Sequence, residues 1–160
     1  MQRIIDEIKG CVDHGYYFAA LSLSLTIPNV CASYEKKRRA TGEDYEKWCD
    51  QWLIPKLPYK ITENVIYLLR CSFFHAMNAK MDKRSLQEYN ENREKRENFT
   101  FFIPHEDAKG GLVYVKEGSK TIRWTICVSS FVFSMIAALE KFKEENPDFT
   151  HKYFHIWFEG

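Results

Sequence analysis

Val128-Ser129-Ser130-Phe131-Val132-Phe133-Ser134-Met135-Ile136-Ala137-Ala138-Leu139-Glu140-Lys141-Phe142 decides the fold class. Val128, Phe131, Val132, Met135, Ile136, Leu139 and Phe142 recur at the three- and four-residue steps of a helix that buries one stripe. Trp124 to Leu139 carries no charged residue, but it holds three serines and falls short of the ~20 apolar residues a membrane span needs. The segment therefore reads as a long helix packed inside a bundle, starting near Ile126 and ended by Asn146-Pro147.

Working outward, residues 1–26 read as helix, interrupted near Asp13-His14-Gly15, with Ile4, Ile5 and Ile8, then Phe18, Leu21 and Leu25, at helical spacing. Pro28 has no N–H to donate, which predicts a kink or a restart. The restarted helix should run past Val30 and Tyr34 into the basic run Lys36-Lys37-Arg38-Arg39. Thr41 is a candidate cap, with Glu43 and Asp44 in the first turn, where carboxylates suit the positive end of the dipole. Tyr45, Trp48 and Trp52 share a face of that helix, and Pro55 and Pro58 stop it. Thr62 starts the next helix, expected to reach about Asn78. Residues 80–98 are dense in both signs of charge and fit a solvated helix or a loop. Phe99–Ile103, Leu112–Val115 and Thr121–Trp124 are short β-rich runs parted by Gly110-Gly111 and Gly118. The expectation is a mainly α protein: one domain over 1–160, a bundle of about five helices, with a small β-hairpin or three-stranded insert at about 99–125 before the last long helix. An aromatic tail, 148–160, should dock on its own core or on a partner subunit.

Composition narrows the function classes. Of 160 residues, 45% are hydrophobic and 16% aromatic, which suits a packed core. With 23 Lys+Arg against 22 Asp+Glu, bulk positive charge does not point to nucleic acid, although a local patch could still bind it. Acidic Asp6 and Glu7 close to the start do not suit a signal peptide. Cys11, Cys31, Cys49, Cys71 and Cys127 are odd in number and scattered, with no C-x-x-C pair. That argues against a disulfide framework and a zinc site, and for reduced cysteines in a cytoplasmic protein.

The chain has no Gly-rich phosphate loop, nucleophile elbow, H-E-x-x-H or EF-hand loop. The chemistry lies in Tyr67-Leu68-Leu69-Arg70-Cys71-Ser72-Phe73-Phe74-His75-Ala76-Met77-Asn78. Arg70 and His75 stand as R-x4-H, which resembles the motif of the HEPN superfamily. The wider pattern is Ile27-Pro28-Asn29, Thr41-Gly42-Glu43 and Leu69-Arg70-Cys71-Ser72 with His75. It is similar to a group of uncharacterised bacterial proteins, which implies no activity. The superfamily resemblance implies a helical, usually dimeric domain. Many members are metal-independent endoribonucleases of toxin, antiviral or CRISPR-linked systems. It implies His75 as the base for an RNA 2′-hydroxyl and Arg70 as the phosphate clamp. It needs no cofactor, leaves a 2′,3′-cyclic phosphate, and favours single-stranded RNA. Those residue types suit the chemistry: histidine titrates near neutrality, and arginine keeps its charge and offers a planar donor fork. On one straight helix the two lie about 140° apart. A two-fold homodimer interface, or a bend near Ser72, would bring them together.

Asn78 and the run Lys36, Lys37, Arg38 and Arg39 are candidate substrate-binding residues, the run equally being a solvated helix end. His151, His155 and Glu159 have helical spacing but no secure third ligand, so no metal is expected. The competing function is a non-catalytic helical dimer acting as a protein interaction module. The near-neutral charge suits it, as does Cys71, which stands where active members often carry a polar residue.

Overall fold

The computed structural model describes residues 2–76, 96–102 and 121–149, with side chains throughout except at 75, 76, 96–102 and 121–125. Its organising element is α5 (Val128–Glu145), where all seven stripe residues named above are buried. Asn146 ends this helix, its side-chain amide donating to the Phe142 carbonyl at 2.9 Å, with Pro147 following. Against α5 pack α1 (Gln2–Asp13) and α2 (Tyr17–Lys36), while α3 (Gly42–Trp48) and α4 (Glu63–Ala76) pack on α2 and on each other. The chain is mainly helical, with five α-helices among the described residues, as the periodicity predicts.

The break between α1 and α2 falls where Gly15 is expected to put it. Gly15 adopts a left-handed conformation (φ 76°). Its N–H donates to the Val12 carbonyl at 3.0 Å and the Tyr16 N–H to that of Cys11 at 2.7 Å, the paired bonds of a Schellman turn. Pro28 neither kills nor restarts the helix: α2 is continuous across it to Lys36. Only one backbone bond is forfeited there. In the preceding turn the hydroxyls of Ser24 and Thr26 donate back to the carbonyls of Ala20 (2.8 Å) and Leu23 (2.7 Å), which lets a helix give locally. The helix also stops earlier than the basic run suggests, because Lys37 turns left-handed (φ 52°) and its N–H donates to the Tyr34 carbonyl. Residues 14–34, also free of charged side chains, form most of α2. No helix among the described residues is long and apolar enough to cross a membrane.

Thr41 caps α3 as expected, and reciprocally: its hydroxyl accepts the Asp44 N–H at 3.3 Å while Asp44 accepts the Thr41 N–H at 2.9 Å. Past Trp48 the chain continues as a π turn (Cys49–Leu53) and a 3-10 turn (Ile54–Lys56), ending near the two prolines. Ser134 on α5 donates to the Lys56 carbonyl at 3.0 Å and ties this turn to the core. Tyr45, Trp48 and Trp52 are all buried. The last two flank Phe142, with ring centroids 5.9 and 5.3 Å away, and Phe149 completes the cluster at 5.0 Å.

Strands β1 (Arg96–Phe102) and β2 (Thr121–Cys127) pair in parallel, Phe99 opposite Trp124. They are therefore not two arms of one hairpin. Parallel strands cannot be joined by a tight hairpin turn. Leu112–Val115, most of the charged segment 80–98 and the aromatic tail beyond 149 lie outside the described residues.

Candidate anion site on helix α4

Helix α4 begins after Thr62, whose carbonyl accepts the Ile66 N–H at 3.2 Å and whose hydroxyl donates to Asn64. Val65, Ile66, Leu68, Leu69 and Phe73 are buried against the bundle. Arg70 sits at the edge of that face, half-buried, with its guanidinium carbon 5.6 Å from the ring centre of Tyr45 and 5.9 Å from those of Tyr67 and Phe74. Three rings thus hold one cation, an arrangement in which each contributes about 0.5–2 kcal/mol depending on desolvation.

The enclosure is built from two helices. Tyr67 and Phe74 come from α4 itself, one turn before and one turn after Arg70, where side chains at i−3 and i+4 meet. Tyr45 comes from α3 and is anchored by its hydroxyl, which donates to the Leu25 carbonyl at 3.2 Å. Tyr45 and Tyr67 also touch each other, centroids 5.5 Å apart. Gly42 makes that approach possible: a Cβ there would fall 2.8 Å from both Cζ and Oη of Tyr67. Both phenols ionise above their ordinary range, first through burial, with the Arg70 charge offsetting only part of it. Tyr45 and Tyr67 are therefore neutral walls.

No described carboxylate lies within ion-pair reach of Arg70, and its Nε is buried without a hydrogen-bond partner. A guanidinium on a core edge commonly snorkels to a carboxylate; this one is surrounded by rings instead. A charge dehydrated on its aromatic sides, with no counter-ion among the described residues, can receive an anion. The neighbouring Ser72 hydroxyl is also buried and unpartnered. Glu46 ionises less readily than an ordinary carboxylate, mainly through burial and then through the charges of Glu63 and Glu43.

His75 follows on the same helix, and its side chain is not among those described. Asn78 lies outside the described residues. The basic run divides. Arg38 is committed within the fold, donating to Asp44 through Nη1 at 2.7 Å and Nη2 at 3.3 Å and to the Arg39 carbonyl at 2.9 Å. Lys36 and Lys37 line an open depression of about 690 Å³ with Tyr34, Glu35, Gln51 and Asn146. Carbonyl ends of α2 and α5 meet there, and lysines suit such ends. Arg39 is exposed. Sequence reasoning found Arg70 but not its walls. The i−3 and i+4 aromatics were legible around it, whereas Tyr45 and the glycine clearance depend on how α3 crosses α4. His151, His155 and Glu159 lie outside the described residues, and among those described no cluster of potential ligands could hold a metal.

Comparison with protein-family models, curated proteins and solved structures finds no match to this chain.

Proposed function

We propose that helix α4 carries a phosphodiester site centred on Arg70, and that with His75 as base the protein is a HEPN-like, metal-independent endoribonuclease. The observation that supports this reading is the half-buried, ring-walled Arg70 guanidinium, with no described carboxylate to neutralise it. In the reaction His75 takes the proton of the RNA 2′-hydroxyl. The 2′-oxygen attacks the adjacent phosphorus, the P–O5′ bond breaks, and the leaving 5′-oxygen takes up a proton. The products are a 2′,3′-cyclic phosphate and a 5′-hydroxyl. Arg70 holds the phosphoryl oxygens as negative charge builds on them. Single-stranded RNA is the substrate, because the attacking oxygen must swing in line with the leaving group.

Arg70 and His75 stand about 140° apart around one helix. The active unit is therefore a homodimer in which each copy lends one group to a shared cleft, working in the cytoplasm as part of a defence or toxin-type system. The test is cleavage of single-stranded RNA in excess EDTA by the parent and by His75→Ala. Cleavage by the parent alone, leaving cyclic phosphate ends, supports the reading; a parent that is folded and inert overturns it.

A second reading, a non-catalytic interaction module, is favoured by the large apolar side chains left in water. Tyr16 is 65% exposed and Phe133 46%. Under that reading the His75→Ala and parent proteins are equally inert toward RNA and share one partner.

A further inference from the structure

Beside the Arg70 guanidinium stands a ring that does not complete the core. Phe74 is 40% exposed although its centre lies 5.9 Å from the guanidinium carbon. Its other neighbours hold it in place. Phe73 meets it edge-on, centroids 5.7 Å apart at 82°, and Phe73 in turn lies against Phe18 of α2, the rings tilted by 34° with centroids 4.5 Å apart. Phe18 is 54% exposed and extends the same aromatic surface. The result is a braced aromatic face in water, adjacent to a cation with no described counter-ion.

We infer that Phe74 is a stacking platform for an unpaired nucleobase of an RNA strand whose phosphate lies on Arg70. This rests on the reading of Arg70 as a phosphate clamp and adds the base-binding half of the site. Charge complementarity selects the occupant: an apolar partner surface would cover Phe74 and leave the guanidinium without an anion, whereas a nucleotide supplies a π-face and a phosphate together. A paired base is already stacked within its helix and cannot lie on the ring, so the site selects single strands. Every base has a π-face, so stacking there is tolerant of sequence.

The test uses two fluorescent oligonucleotides of one 2′-O-methyl backbone, one carrying uracils and one abasic. Neither has the free 2′-hydroxyl that cleavage requires. The full chain is expected to bind the uracil strand more tightly than the abasic one. Phe74→Ala should weaken the uracil strand about tenfold more than it weakens the abasic one, within the range base–aromatic stacking gives. Phe74→Trp should match or exceed the parent, and it keeps the test decisive if the alanine variant does not fold. Arg70→Leu should weaken both strands. If Phe74→Ala binds the uracil strand like the parent while Arg70→Leu loses both, the stacking platform is overturned and the phosphate clamp stands. If the parent binds neither strand, both fall. If light scattering shows Phe74→Ala turning a dimer into a monomer, the ring is covered by a second copy and the inference is overturned.

Discussion

Two clusters of aromatic rings do opposite things in this molecule. Around Phe142 the rings of Trp48, Trp52 and Phe149 close completely, and the central ring is wholly buried. Around Arg70 the rings of Tyr45, Tyr67 and Phe74 enclose a charge and leave one side in water. The first is an apolar ring in an aromatic shell, so its energy is burial and ring contact. The second holds a cation that the described residues do not neutralise. Similar side chains thus build a stability centre in one place and a receptive surface in the other. The difference lies in what stands in the middle and whether the shell closes.

The largest effect should come from opening the closed cluster. Phe142→Ala leaves a cavity among the rings of Trp48, Trp52 and Phe149 and should cost about 3–5 kcal/mol, read as a large fall in the urea midpoint; a loss below about 1 kcal/mol would mean that the cluster collapses to fill the space. Next is Gly42→Ala, which puts a methyl group into the Tyr67 ring. It should cost about 1–3 kcal/mol through displaced packing, and it should also weaken oligonucleotide binding by shifting a wall of the Arg70 enclosure. Destabilisation without any change in binding would separate Tyr67 from the site.

A smaller effect, confined to acid, tests the cap that fixes α3 beneath Tyr45. The Thr41 N–H and hydroxyl and the Arg38 guanidinium hold the Asp44 carboxyl well below its ordinary value of 3.8. A carboxyl depressed on folding adds stability that is complete above that ordinary value and is lost as pH falls below it toward the folded value. Melting of Asp44→Asn against the parent should show a deficit at pH 7 that shrinks below about pH 4. A deficit independent of pH would mean that the carboxylate charge contributes nothing.

The closed cluster was legible in the sequence and the open one only in part. The α5 stripe repeats over several turns, so its period identified the buried residues, Phe142 among them, before any coordinates. The Thr41 cap and the Gly15 break are local and depend on residue chemistry alone, so they too could be read. The restart that Pro28 allowed does not occur, because a single missing donor is a small perturbation within a long helix. The parallel pairing of β1 and β2 was illegible, since strand direction is set by a crossover and not by the composition of either strand. At Arg70, the R-x4-H spacing and the flanking Tyr67 and Phe74 are properties of one helix, whereas Tyr45 and the clearance at Gly42 exist only once α3 crosses it.

The smallest expected change in stability carries the most weight. Arg70→Leu exchanges a half-buried cation, with no counter-ion among the described residues, for an apolar side chain, so lost cation–π contact and relieved desolvation nearly offset. Stability should stay within about 1 kcal/mol of the parent. The decisive measurement runs this variant beside the parent, reading thermal unfolding and cleavage of single-stranded RNA in EDTA on the same samples. The account predicts an unchanged melting temperature with cleavage abolished. A variant that unfolds, or a folded one that cleaves as fast as the parent, would contradict it.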